Sequence, residues 1–376
     1  MNRRDLLRAS VVGSCGGGLW GLLSEAGRDR FPGALPPAYS VIPVVGDGRW
    51  IWKEPPEGET GYLEPRPYDV SVGIELQGTG PASDITSTTV APLEYPEQKI
   101  LDTSIDVRGC QAQVRKLAEG AGQLVLAAAE IGAGQVIRAV ARFRMTLFKQ
   151  YFAYQADLFP ARQDVPPEVR KTYLQDSPGI QVRSRQVRTL AAELTSGTPK
   201  HPFEQAKTFA EWVPKNITPQ IGAYTSVTAA LDDRRGDCEE MAGVFVALCR
   251  SVGIPARLVW VPNHNWAEFY LTDNDGKGHW IPAHTACYSW FGYNGAHELV
   301  LQKGDRVMLP EKRKQVRLLA DSMRYSGSAP KVRYLAELTP LADDTGGDPG
   351  PGARRKDAKG EWQVVGNHEL DRYVRR

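Results

Sequence analysis

The clearest hydrophobic pattern in the chain begins at Cys238. Apolar residues recur at helical spacing from there to Val252, and a glycine and a proline end the run. Asp237 precedes the pattern and Glu240 follows three residues later, which is the capping-box arrangement. The pattern predicts a helix with Cys238 in its first turn, where the helix dipole stabilises a thiolate. The acidic neighbours oppose that effect, so the sequence gives no net direction for the thiol pKa.

A strand-like pattern follows the helix. Apolar and β-branched residues predict three strands, at residues 256–261, 266–272 and 279–283, and the turn-forming residues 273–278 make a hairpin of the last two. His264, Trp266 and Tyr270 share one face of the middle strand. Glu268 lies about 13 Å along the strand from His264, too far to orient its imidazole. The orienting group is therefore expected on the return strand.

These segments together resemble the transglutaminase-like superfamily. The residues that carry the resemblance are Gly-Asp-Cys-Glu at 236–239, the segment 247–257, His-x-Trp-x-Glu at 264–268 and Trp-x-Pro at 280–282. The resemblance covers about residues 185 to 300. It implies an α+β fold with a papain-like core, in which helices pack on an antiparallel sheet and the nucleophilic cysteine begins a helix. By this resemblance Cys238 is the nucleophile and His264 is the base.

One position departs from the family pattern. An aspartate orients the catalytic histidine in the resembled family, whereas this chain has His284 in that place. A neutral His284 can accept a hydrogen bond from His264, but it gives no negative charge to an imidazolium. Catalysis is therefore expected to be weaker or differently tuned. Zinc bound by Cys238, His264 and His284 is an alternative, although clustered Cys and His more often serve other roles, so no metal and no cofactor is predicted.

The Cys–His pair indicates acyl transfer through a thioester. His264 takes the thiol proton, the thiolate attacks an amide or ester carbonyl, and backbone N–H groups at the helix start stabilise the oxyanion. Trp266 and Tyr270 are predicted to line an aromatic cleft for a peptide or protein substrate. The resembled bacterial proteins favour hydrolysis, as a protease or amidase, over crosslinking. The alternative is a non-catalytic pseudoenzyme that binds a protein or cell-envelope partner, since His284 replaces the aspartate.

The amino terminus resembles a twin-arginine export signal. Arg3 and Arg4 precede an uncharged stretch rich in glycine, and a small-x-small site at Ser24–Ala26 predicts cleavage, so residues 1–26 are interpreted as a signal. The apolar stretch is too short to span a bilayer, which predicts a periplasmic or otherwise exported protein with no lasting membrane anchor. Cys15 offers a competing lipoprotein interpretation, but the apolar run before it is short.

Local composition and the positions of proline and glycine divide the rest of the chain into predicted units. The predicted units are a lead-in rich in Pro and Gly at 27–66, an all-β sandwich-like domain at 67–160, a transglutaminase-like domain with added strands at 161–341, and a mostly disordered tail at 342–376. A net charge of +2 favours no class of partner. The basic stretch 312–317 lacks interleaved aromatics and is interpreted as a solvated strand or loop, so no nucleic acid is predicted.

The cysteines are too sparse for a disulfide framework. Cys110, Cys238, Cys249 and Cys287 stand in the predicted mature chain. Cys249 lies three helical turns after Cys238 and is expected in the core, where pairing with Cys110 or Cys287 is left open.

Overall fold

The computed structural model of the chain describes Trp52 and residues 54–117, 120–197, 200–220, 222, 224–262, 264–286, 290–309, 314–341, 354–357 and 362–364. The predicted signal at 1–26, most of the lead-in and Cys287 lie outside these residues. No helix of the described part is long and apolar enough to cross a membrane.

The amino-terminal half is a β-sandwich, as its two-residue alternation predicts. Its strands are β1 (Gly61–Gln77), β2 (Ala82–Ala91), β3 (Gln98–Arg108), β4 (Gln111–Leu117), β5 (Ala121–Ile131) and β6 (Val136–Tyr151). The alternating residues Val70, Val72, Ile74 and Leu76 of β1 are buried, and so are Phe143, Met145 and Leu147 of β6. These side chains share one core with residues of β2 and β5. The strand β1 begins inside the predicted lead-in, which is therefore partly sandwich.

Helices occupy the middle of the chain. After a 3-10 turn at Ala156–Leu158 come α1 (Pro167–Tyr173), α2 (Arg185–Thr195), α3 (Pro202–Asn216), β7 (Thr218–Pro219), α4 (Val227–Asp233), β8 (Arg235–Gly236) and α5 (Cys238–Ser251). The apolar stripes of α2 and α3 pack with α5 in the largest core cluster. Every residue of α5 from its first to Arg250 is buried. The helix pattern predicted from the sequence is thus confirmed, with α5 at the centre.

The predicted hairpin packs against α5. Its strands are β9 (Ala256–Val261), β10 (His264–Thr272) and β11 (Gly278–Ala283), paired antiparallel. Phe269 of β10 meets Phe245 of α5 with ring centroids 6.1 Å apart. Ala267, Phe269 and Leu271 belong to the same core as α5. This face of the hairpin is therefore the one that covers the helix.

The remaining strands pair with strands of the sandwich, with the hairpin or with one another. They are β12 (Tyr293–Asn294), β13 (Gln302–Lys303), β14 (Val307–Leu309), β15 (Lys314–Val316), β16 (Ser322–Gly327), β17 (Lys331–Pro340), β18 (Arg354–Lys356) and β19 (Trp362–Val364). The two-residue strand β13 pairs with β9 and with β5, so that the hairpin and the sandwich form one eight-stranded sheet in the order β11-β10-β9-β13-β5-β2-β16, with β4 on β5. The second large sheet has the order β12-β6-β1-β17-β18-β19, with β3 on β6, and the pairs β14-β15 and β7-β8 form two small sheets.

The chain after residue 320 differs from the prediction. The strands β16 and β17 fall in the predicted second domain, yet they pair with β2 and β1 and complete the sheets of the sandwich. The strands β18 and β19 fall in the tail predicted to be mostly disordered, where β18 pairs with β17 and β19 with β18; most of that tail lies outside the described residues. Low apolar content in the tail is offset here because an existing sheet edge supplies the hydrogen bonds.

Candidate active site

Cys238 is the first residue of α5, and the cap predicted before it is present. The Asp237 side chain accepts a hydrogen bond from the Glu239 N–H at 2.8 Å, and the Glu240 side chain accepts one from the Asp237 N–H at 3.0 Å. Both halves of the capping box are formed. Glu240 also accepts from the Thr225 N–H at 2.6 Å, which ties the helix start to the segment before α4. Cys238, which is 5% exposed, therefore lies in a first turn that is held by these hydrogen bonds.

The carboxyl groups around the thiol are buried. Burial raises the pKa of Asp237 well above its ordinary value, and Cys238 and Glu240 raise it further. Burial also raises the pKa of Glu239 to about 8, against the lowering effect of Arg317. Like charges in one desolvated site disfavour one another. A thiolate at Cys238 therefore competes with ionisation of its acidic neighbours, whereas the helix start favours it.

A basic residue that the sequence analysis missed contacts this cluster. Arg317 forms an ion pair with Glu239, and its guanidinium lies 3.5 Å from the ring centroid of Tyr224. It belongs to the basic stretch interpreted as solvated, but its side chain is only 17% exposed. Glu239, the carboxylate next to the cysteine, was the sequence feature from which a basic partner could have been predicted, because a buried glutamate requires a cation.

The two candidate histidines lie together. The rings of His264 and His284 have centroids 6.0 Å apart and an interplanar angle of 28°. His284 is 2% exposed, and its backbone N–H donates to the Trp290 carbonyl at 2.8 Å. Burial lowers the pKa of His284 well below its ordinary value, and the neighbouring His264 lowers it further. The ring in the aspartate's place is therefore neutral near pH 7.

The predicted aromatic cleft is not formed by Trp266 and Tyr270. Trp266 is 1% exposed, and its ring lies nearly parallel to that of His284 with centroids 4.8 Å apart. Tyr270 follows His264 by six residues, about 20 Å along the strand, and packs edge-on against Trp280 at 5.2 Å. Trp266 therefore supports His284 from behind, and Tyr270 belongs to the far end of the hairpin.

The glutamate of the His-x-Trp-x-Glu motif forms buried ion pairs with two basic residues. Glu268, 1% exposed, forms ion pairs with Arg257 at 2.6 Å and with Lys303 at 2.7 Å. Lys303 reaches Glu97 of the sandwich at 2.6 Å as well. This buried network joins the hairpin, β13 and the sandwich, and the two cations lower the pKa of Glu268 although its burial opposes this.

The described residues give no support to the zinc alternative. Within them, no group of three or more His, Cys, Asp or Glu is arranged to hold a metal ion. Cys110, Cys238 and Cys249 are free thiols, so the pairing left open between Cys110 and Cys249 is not formed. Cys249 lies in the core, as expected, and burial raises the pKa of its thiol.

Comparison with known proteins finds a match for the part of the chain that contains Cys238, His264 and His284. Residues 188–285 match the model of the transglutaminase-like superfamily, which confirms the resemblance carried by the cysteine and histidine segments. A curated peptide-N(4)-(N-acetyl-beta-glucosaminyl)asparagine amidase of Yarrowia lipolytica is 29% identical over 68 residues, which is 18% of this chain and 18% of the relative's own length. The chain thus spans less than a fifth of that relative.

A solved structure shares the fold more widely. A candidate cysteine protease from Cytophaga hutchinsonii superimposes with a TM-score of 0.51 at 16% identity, over 75% of this chain and 93% of the other. At this identity the likeness concerns the fold, and it confirms a papain-like α+β core that is preceded by an all-β region.

Proposed function

We propose that this chain is a thiol hydrolase that cleaves amide bonds of peptides or proteins through a thioester on Cys238. The observation that carries the proposal is the position of Cys238, the first residue of a capped helix inside the segment that matches the transglutaminase-like superfamily. A helix start supplies unpaired N–H groups that stabilise both a thiolate and an oxyanion. The similarity to an amidase over part of its length supports hydrolysis rather than crosslinking.

The proposed reaction needs one base and one nucleophile. His264 removes the thiol proton, the Cys238 sulfur attacks the amide carbonyl, and the C–N bond breaks as the imidazolium returns its proton to the leaving amine. Water then attacks the thioester, with His264 again as base, and releases the carboxylic acid and the thiol. The neutral His284 leaves the imidazolium without a carboxylate partner, so the rate is expected to be lower than with aspartate.

The reactivity of Cys238 tests the proposal. The measurement is the rate of iodoacetamide alkylation from about pH 5 to pH 10, read by peptide mass spectrometry in wild type and His264→Ala. We expect rapid labelling of Cys238 below pH 7 that slows by at least about tenfold in the variant. Cys249, buried in the core, and Cys110, partly exposed, are internal controls. Labelling of Cys238 at the rate of an ordinary thiol in both proteins contradicts the proposal and favours the non-catalytic alternative.

A trapping experiment tests the thioester itself. Hydroxylamine added to the enzyme with a peptide library converts a thioester into a hydroxamate, so wild type should yield peptide hydroxamates and Cys238→Ala none. Products that carry a free carboxylate without hydroxylamine indicate hydrolysis, and products joined to an added amine indicate crosslinking.

Export through a twin-arginine signal also belongs to the proposal. Fractionation of the expressing cells into cytoplasm and periplasm, with Arg3→Lys/Arg4→Lys as the control variant, tests it.

A further inference from the structure

Arg317 is held at the amino-terminal end of α5 from two sides. Its guanidinium pairs with Glu239, the residue next to Cys238, and lies 3.5 Å from the ring centroid of Tyr224. The ion pair is mostly buried, with side-chain exposures of 17% and 10%. A guanidinium that both stacks on a ring and pairs with a carboxylate has a defined position, unlike a lysine on a flexible stem.

This cation balances an acidic site. Asp237, Glu239 and Glu240 surround the cysteine and are all buried. Within the described part of the chain, Arg317 is the only basic residue that forms an ion pair with one of these three. The titratable groups that face the pair are Asp237, Cys238, Glu240, Tyr224 and Asp305. None of these groups carries a positive charge; Arg317 adds one, besides the His264 imidazolium of the proposed mechanism.

We propose that Arg317 is a positioning residue that keeps the start of α5 electropositive enough for Cys238 to ionise. This inference rests on the proposed function, in which Cys238 is the nucleophile. With Glu239 ionised, Arg317 cancels its charge. With Glu239 protonated, Arg317 leaves one positive charge at the start of α5, next to the residue that follows Cys238. In both states, removal of Arg317 takes away one positive charge and destabilises the thiolate.

The surrounding structure supports the placement of this guanidinium. Tyr224, the surface on which it lies, is packed over Gly179, whose φ is +85°, and a Cβ at Gly179 would overlap the tyrosine hydroxyl. Gly179 and Arg317 both lie outside the segment 188–285 that matches the superfamily. The partners of Arg317, which are Glu239 and Tyr224, lie inside that segment, so the arrangement joins the shared segment to residues on both sides of it.

The test is the pH profile of Cys238 alkylation in a set of variants. Arg317→Gln is expected to raise the apparent pKa of the Cys238 thiol by about one unit and to slow alkylation at pH 7 by up to about tenfold. Arg317→Lys should keep most of the wild-type profile because it keeps the charge. Gly179→Ala, which displaces Tyr224, should shift the profile in the same direction as Arg317→Gln. The matched control is Arg333→Gln, since Arg333 is an exposed partner of Glu75 on the sandwich.

A double variant tests the same effect without leaving a buried charge unpaired, which could unfold the protein. Glu239→Gln/Arg317→Gln removes both charges and leaves no unpaired buried ion, and below about pH 8 it should show the same rise as the single variant. Thermal unfolding reports whether each variant is folded. A reactive wild-type Cys238 whose profile does not change in folded Arg317→Gln overturns this inference alone. An unreactive Cys238 in wild type overturns the proposed function instead.

Discussion

Replacement of His284 by aspartate is predicted to increase the reactivity of Cys238. The rings of His264 and His284 are 6.0 Å apart, and the buried His284 is neutral, so its ring gives a His264 imidazolium no opposite charge. At a separation of about 6 Å and an effective dielectric constant of about 20, a carboxylate attracts an imidazolium by about 3 kcal/mol. Burial of a carboxylate at this site offsets part of that gain. A net gain of about 1.4 kcal/mol corresponds to about one pKa unit.

The assay is the pH dependence of Cys238 alkylation in wild type, His284→Asp and His284→Asn. The two variants have side chains of nearly equal size and differ in charge. Aspartate should shift the apparent thiol pKa down by about one unit, which is about a tenfold gain in thiolate below that pKa, whereas asparagine should not lower it. Equal profiles for folded His284→Asp and His284→Asn would refute the electrostatic reasoning.

Two further predictions concern stability. Asp237→Ala removes the cap of α5 and should cost about 1 kcal/mol, seen as a lower unfolding midpoint in calorimetry, and an unchanged midpoint would contradict the capping role. Glu268→Gln leaves Arg257 without its buried carboxylate and Lys303 with Glu97 as its remaining one, and it should cost about 3 kcal/mol at pH 7. Because the folded pKa of Glu268 is lowered, its contribution is present above the unfolded pKa of about 4.3 and is lost as the pH falls through the folded value. The difference between wild type and variant in urea unfolding should therefore shrink as the pH falls below about 4.3, and a constant difference would contradict it.

Local signals were sufficient for the site's framework. The helix that begins at Cys238, its capping box and the hairpin β10–β11 follow from periodicity, cap residues and turn residues that lie within a few positions of one another. These features depend on hydrogen bonds and packing between residues that are near in sequence, so they can be predicted from a single sequence. The replacement of aspartate by His284 was also visible, although its parallel contact with Trp266 was not.

Contacts between distant residues were not predictable in the same way. The pairing of Arg317 with Glu239, and of β16 and β17 with the sandwich, depends on which surfaces meet in three dimensions. A basic stretch has the same composition whether it is solvated or paired. The placement of Tyr270 could have been predicted, because strand geometry alone puts it about 20 Å from His264.

The pairing of β1 with β17 has a consequence for how the protein is made. The strand that begins at Gly61 has β17, at Lys331–Pro340, as one of its two neighbours, so one edge of β1 stays open until β17 has left the ribosome. Contacts between residues so far apart in sequence slow folding, and an open strand edge on a nascent chain invites pairing with other chains. The sheet that contains β1 is therefore complete only after β17 has been made.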